Sequence, residues 1–262
     1  MSKPLTEDLR QLYLRDGFVK VSQYFSAKEI ADIKVVIDEF HQAWLADNQD
    51  FYHAKAVNSA YLTSDKYLVR QQRRRLFEFI GSNKVRQLIH STPLEKVAFM
   101  NSQLFFNPFN PNQANYWHRD PQYHLSVDEQ RQVLQGHDVI HCRIALSDEP
   151  GIEVIPGTHK RFDNDNELAV RLEQKGKQNS DSLANSLAVP LNKGDVLLFS
   201  ANMIHRGLYG KDRLALDLLF CEALEEYAAF TDSSCLPDAH QCSTLEWPAP
   251  FEYALAFKKA FN

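Results

Sequence analysis

Over positions 1 to about 95, apolar residues recur at three- and four-residue spacing, which gathers them on one face of a helix. Ile30, Ile33, Val36, Ile37 and Phe40 make the clearest stripe; it continues to Trp44 and follows Ser26, a residue suited to cap a helix N-terminus. One long amphipathic helix is predicted there. A shorter helix is expected over 5–14, a strand over 17–21 entered through Gly17, and two further helices within 66–79 and 83–89. From Lys96 the texture changes to short apolar stretches divided by Pro, Gly and Asn, as in the strands of a sandwich or barrel. Strands are predicted at 97–106, 139–147, 152–155, 186–189, 195–199 and 213–221, with a turn at Asn192-Lys193-Gly194-Asp195.

The polar stretch 163–182 reads as a helix plus an exposed loop, a place where substrate-covering elements often sit. A helix is also expected over 126–135, flanked by His124 and His137 as surface residues, or else serving to cover a pocket. With no internal repeat and no Pro/Ser-rich linker, the helical front should pack against the strands in a single domain, 1–262. Within it, about 1–95 is helical support, about 96–222 the strand-rich core and 223–262 a C-terminal extension. The apolar segment 251–257 is expected to pack on these strands or on a neighbouring molecule.

A hydrophobic content of 44% in 262 residues is ample for a buried core, which excludes a disordered or collagen-like chain. The formal charge of −5 argues against a nucleic-acid partner, which usually demands a basic surplus. No apolar run approaches the ~20 residues that cross a bilayer, and the start Met1-Ser2-Lys3-Pro4-Leu5-Thr6-Glu7-Asp8 lacks the apolar core of a signal peptide. No membrane association and a cytoplasmic location are therefore expected. Cys142, Cys221, Cys235 and Cys242 form no C-x-x-C pair, so they are expected to be reduced thiols, Cys142 and Cys221 buried in strands.

The chemistry concentrates in Tyr116-Trp117-His118-Arg119-Asp120-Pro121. Side-chain direction in an extended segment repeats every two residues, so His118 and Asp120 can face one side. A second imidazole, His205, follows the strand predicted at 195–199. Two histidines and one carboxylate on one face of an octahedral ion leave three positions open, which suits non-haem iron(II) that must hold a cosubstrate and O₂ together. Alone, His-x-Asp is weak, because a salt-bridged surface pair has the same spelling. His-Arg-Asp also imitates the kinase catalytic loop, but Pro121-Gln122-Tyr123-His124 follows it and no Gly-rich loop precedes it.

The surroundings of the motif carry more weight. Arg15-Asp16-Gly17-Phe18-Val19-Lys20-Val21, Trp117-His118-Arg119-Asp120, Ile155-Pro156-Gly157-Thr158-His159-Lys160-Arg161, Pro190 to Phe199, and His205 followed by Arg213 stand in an order that resembles the phytanoyl-CoA dioxygenase family of iron(II)- and 2-oxoglutarate-dependent oxygenases. The resemblance spans nearly the whole chain. It implies a mainly β fold with helices: a double-stranded β-helix, or jelly-roll barrel, with an N-terminal helical layer packed on it. It implies His118, Asp120 and His205 as catalytic iron ligands, with O₂ and 2-oxoglutarate as cosubstrates and Arg213 on the distal carboxylate of the keto acid. Asn101 and Gln103, on one face of the strand leading to the motif, are candidates for further cosubstrate contacts. The His205-to-Arg213 spacing is shorter than usual and Arg206-Gly207-Leu208 replaces small polar residues, so Arg206 is a reserve candidate for the clamp.

His141 and Arg143 lie two apart on a predicted strand and, if inward, are expected to bind a polar part of the substrate. Trp117 and Tyr116 are expected to wall the site, and His159 to serve the Pro-Gly-Thr-His turn by hydrogen bonding. The expected activity is hydroxylation of an unactivated carbon in a small polar metabolite, with release of succinate and CO₂. Asp120 favours that outcome over halogenation, which in related enzymes uses a small residue at this position. Two rival readings stand beside it: a cupin-like enzyme using another metal without 2-oxoglutarate, and a catalytically silent binding module.

Overall fold

The computed structural model describes residues 5–260; positions 1–4 and 261–262 of the expected domain lie outside the described residues. The helices are α1 (Leu5–Asp16), α2 (Ala27–Asp47), α3 (Gln49–Ala54), α4 (Arg70–Ile80), α5 (Asn83–Ile89), α6 (Val127–Val133), α7 (Asp165–Arg171), α8 (Glu225–Ala228), α9 (Ala239–Ser243) and α10 (Ala249–Ala260). The strands are β1 (Phe18–Val21), β2 (Asn58–Ala60), β3 (Val97–Phe106), β4 (Val139–Ala145), β5 (Glu149–Val154), β6 (Leu187–Leu191), β7 (Val196–Ser200), β8 (His205–Gly207) and β9 (Leu214–Glu222).

The strands form two antiparallel sheets, one in the order β1-β7-β4-β9-β3-β2 and one in the order β6-β5-β8. Two apolar layers bury the larger sheet. On one face Ile140, Cys142, Ile144, Leu198, Leu216 and Leu218 pack with the stripe of α2 and with α4, α5 and α10. On the other, Ala145, Leu197 and Phe199 meet Ile152, Val154, Val189 and Leu191 of the smaller sheet. Burial on both faces explains why β7 is continuously apolar over 196–199 instead of alternating.

Helix α2 starts where its sequence says it should. Ser26 Oγ accepts from the Glu29 N–H, and the Glu29 carboxylate accepts from the Ser26 N–H at 2.8 Å, a reciprocal capping box. Its stripe from Ile30 to Trp44 is buried; each such side chain contributes roughly 1.5–3 kcal/mol, so this face anchors the helical layer to the sheet. The C-terminal helix α10 packs on β3 of the same chain, with the Phe251 ring 5.0 Å from Phe99 and 5.6 Å from Phe77.

The smaller sheet depends on one glycine. At the irregularity between Glu149 and Ile152, Gly151 has φ of +80°, and a Cβ there would lie 1.8 Å from the Val189 carbonyl oxygen. Only glycine permits both the left-handed backbone and that approach. The four cysteines are free and buried, Cys142 in β4 and Cys221 in β9. No helix among the described residues is long and apolar enough to cross a membrane.

Candidate metal centre and active-site cavity

The chain between β3 and α6 runs extended past the start of β8. There His118 and His205 form an isolated antiparallel bridge and exchange backbone hydrogen bonds of 2.9 and 3.0 Å. The Asp120 N–H donates to the Ala201 carbonyl at 3.1 Å. Backbone pairing thus brings three distant side chains to one point: ligand atoms of His118, Asp120 and His205 all lie within 4.8 Å of one another. His118 Nε2 is 3.5 Å and His205 Nε2 3.7 Å from the same oxygen, Asp120 Oδ1.

Each imidazole is aimed by its other nitrogen. His118 Nδ1 donates to the Tyr116 carbonyl at 3.1 Å and His205 Nδ1 to the Met203 carbonyl at 3.0 Å. A carbonyl can only accept, so the proton sits on Nδ1 and the Nε2 lone pair is left for a metal. Burial, with His118 alongside, pushes His205 down to about 3, and burial also lowers His118. Burial opposes the charge of Asp120, but His141 and the two other histidines outweigh it and hold the carboxyl well below its ordinary range. Two neutral imidazoles and one carboxylate oxygen, all on one side, fit a divalent ion that keeps vacant positions.

His141 and Arg143 do face inward, yet they meet protein carboxylates. His141 Nε2 donates to Asp120 Oδ2 at 2.7 Å and Nδ1 to Asp217 Oδ2 at 3.1 Å, holding Asp120 so that Oδ1 faces the two ligand histidines. Burial disfavours a charged His141, but Asp217 and Asp120 prevail and raise it to about 10. Arg143 forms a bidentate pair with Glu149, both bonds 2.9 Å, and lies 4.0 Å from Asp217. Both residues line the cavity as expected, but these carboxylates engage their donors in a positioning network, so they lend little support to a polar substrate.

Arg213 reaches the same cavity, whereas Arg206 does not line it. Arg206 pairs with Glu153 at 2.7 Å and stacks 4.4 Å over Trp117. Arg213 is buried, with Nη1 donating to the Phe106 carbonyl at 2.6 Å, while Nε has no hydrogen-bond partner and lies 3.9 Å from Glu149 Oε2. A buried guanidinium with an unused donor fits an incoming carboxylate. Gly207 makes room for it: a Cβ there would sit 2.8 Å from Arg213 Nη2.

Asn101 and Gln103 both line the cavity. Asn101 Oδ1 accepts from the Ser102 N–H at 2.7 Å and the Tyr61 N–H at 3.3 Å, which leaves its NH₂ as the free end. Trp117 does not wall the site as expected. Its indole is fully buried with Ile155, Val170, Leu183 and Ile204 and donates to the Asp181 carbonyl at 2.9 Å; Tyr116 does line the cavity. The 163–182 insert contributes nothing to the lining; Pro121, Tyr123, His124, Leu125, Val133, His137, Glu226, Tyr227 and Phe230 line it instead, so His124 and His137 are exposed residues that also border the cavity. His159 packs beside Tyr13 and Gly17, away from the triad.

A second buried network escaped the sequence reading. Arg119, between the two ligands of the motif, points the other way and donates to the carbonyls of Thr158 (2.7 Å), Arg161 (3.0 Å) and Asn202 and to Asp163 (3.3 Å). Arg171 of α7 continues it to Asp163 at 2.7 Å and to Gln122 and Gln130. Its only outward signal was alternation, since neighbours of an inward His118 must face away from it. Asp217 could have been suspected as the lone charge in Leu214-Ala215-Leu216-Asp217-Leu218-Leu219-Phe220.

Two histidines and a carboxylate at the floor of a cavity that also holds a buried arginine define the class of 2-oxoglutarate-dependent non-haem iron oxygenases. The model of the phytanoyl-CoA dioxygenase family matches residues 13–209, and the chain belongs to that family. Three solved structures share the fold. The non-haem α-ketoglutarate-dependent carbocyclase SnoK from nogalamycin biosynthesis is 15% identical, with TM-score 0.56 over 85% of each chain. EctD from S. alaskensis, with 2-oxoglutarate and 5-hydroxyectoine, is 15% identical with TM-score 0.56 over 82% of this chain and 76% of that one. HygX from Streptomyces hygroscopicus, with iron bound, is 13% identical with TM-score 0.56 over 84% and 88%. No curated protein matches the sequence.

Proposed function

We propose that this protein is a hydroxylase that couples oxidative decarboxylation of 2-oxoglutarate to hydroxylation of an unactivated carbon in a small molecule, releasing succinate and CO₂. The observation that carries this reading is the convergence of His118 Nε2, His205 Nε2 and Asp120 Oδ1 beside the incompletely bonded Arg213. Iron(II), when bound, supplies the activation of O₂ that no side chain can provide. The chain's residues do the rest. His118, Asp120 and His205 hold the ion; Arg213 holds the distal carboxylate of the keto acid, with Asn101 and Gln103 as further contacts on β3. His141 and Asp217 keep Asp120 from rotating, and the cavity walls exclude water. The proposal includes a jelly-roll reading of the two sheets, a single domain over 1–262 and a cytoplasmic location.

Anaerobic addition of iron(II) and 2-oxoglutarate tests it. The expected result is a weak visible metal-to-ligand charge-transfer band, lost in Arg213→Ala while iron still binds; once O₂ is admitted, succinate forms with the unaltered protein and not with Asp120→Ala. Absence of the band in the unaltered protein overturns the cosubstrate assignment.

A further inference from the structure

The cavity above the triad measures about 690 Å³, within the range that encloses a drug-sized molecule. Met100, Leu125, Val133, Val139 and Leu219 give it an apolar wall. Tyr61, Tyr123 and Phe230 line it while remaining 45%, 54% and 45% exposed, so aromatic rings border its solvent side. Large rings left in water around one opening mark a surface that awaits an apolar partner.

Charge narrows the choice further. Among the described residues, Arg143 and Arg213 are the only lysines or arginines lining the cavity. Arg143 is paired bidentately with Glu149, and Arg213 is assigned to the cosubstrate. The outer wall instead carries the carboxylate of Glu226. A phosphate or carboxylate on the substrate would enter past a negative charge and find no unpaired cation, because the charged His141 is already held by Asp120 and Asp217. Neutral hydroxyl or carbonyl groups meet no such barrier, since an amide such as that of Asn58, also in the lining, can pair with them.

We infer that the substrate is a largely apolar, ring-bearing small molecule without an anionic group, admitted between Tyr61, Tyr123 and Phe230. The inference rests on the oxygenase reading in taking this cavity as the substrate site. It excludes coenzyme A thioesters and small zwitterions by the chemistry of the walls.

Calorimetric titration of the iron(II)-loaded protein, anaerobic and saturated with 2-oxoglutarate, tests it with four probes: 2-naphthol, 2-naphthoate, coenzyme A and L-proline. The expected result is that 2-naphthol binds at least ten-fold more tightly than 2-naphthoate, and that coenzyme A and L-proline give no binding. Phe230→Ala and Tyr123→Ala should each weaken 2-naphthol roughly five-fold, the loss of one ring contact, with 2-oxoglutarate affinity unchanged. Binding of 2-naphthoate or coenzyme A as tight as that of 2-naphthol, binding of L-proline without 2-naphthol, or indifference to both substitutions overturns the inference. Loss of 2-naphthol with 2-oxoglutarate still bound overturns this inference alone. Retention of 2-naphthol by a protein that never binds 2-oxoglutarate overturns the oxygenase reading and leaves the wall chemistry supported.

Discussion

Arg119→Lys removes the fork that ties the metal motif to the chain behind it while keeping the charge. The guanidinium serves four acceptors on two stretches: the carbonyls of Thr158 and Arg161 and the carboxylate of Asp163 on one, and the carbonyl of Asn202 on the other. A lysine ammonium is a point donor and cannot span all of them. If two buried acceptors lose their partner at about 1–2 kcal/mol each, the loss is about 2–4 kcal/mol. For a chain of this length that lowers Tm by about 4–8 °C. Asn202 lies three residues before His205, and Arg119 sits between His118 and Asp120. Slack at this joint should spread the three ligands and weaken divalent-metal binding about ten-fold, near the low end of the effects seen for outer partners of metal sites. Differential scanning fluorimetry reads the first effect and competition with a coloured chelator the second. A Tm within 1 °C of the parent refutes the energetic argument, and an unchanged metal affinity refutes the positional one.

Other perturbations probe separate parts of the molecule. His141→Ala should weaken metal binding about 10–100-fold by freeing Asp120 Oδ2, read by the same chelator competition. Gly151→Ala should destabilise the fold by several kcal/mol, seen as a large drop in Tm or in soluble yield, because its methyl meets the Val189 carbonyl. Burial raises Asp138 to about 6 despite the Ser200 and Tyr13 hydroxyls that donate to it. The folded value lies above the unfolded one near ~4, so this contribution to stability is present below about pH 4 and lost as pH rises through about 6. For this half-buried side chain that amounts to about 1–2 kcal/mol. Asp138→Asn should flatten the wild-type fall in Tm between about pH 4 and 7, and an unaltered slope would refute the assignment.

Helix α5 and strand β3 have the predicted bounds, since caps and apolar runs are local. Strands β2 and β8 went unread, because three residues cannot display an alternation; they are strands only through pairing with β3 and β5. The grouping of His118, Asp120 and His205 was legible because donor chemistry restricts residue type strongly, whereas Arg213 was suggested by the family resemblance alone. The roles of His141 and Arg143 were not, because their partners depend on register: Asp217 lies opposite Arg143 on β9 and next to His141 on the diagonal. Trp117 was misread by neglect of a local rule. The two-residue period that joins His118 to Asp120 turns Trp117 and Arg119 to the opposite side.

The backbone bridge between His118 and His205 has a consequence for iron supply. In a zinc finger the ion must arrive before the chain can fold. Here backbone hydrogen bonds between His118 and His205 fix the spacing of the two imidazoles, so that spacing belongs to the ladder as much as to the ion. Stripping iron with a chelator should then leave the helical and strand content unchanged, and added iron(II) should rebind at the pace of ion capture.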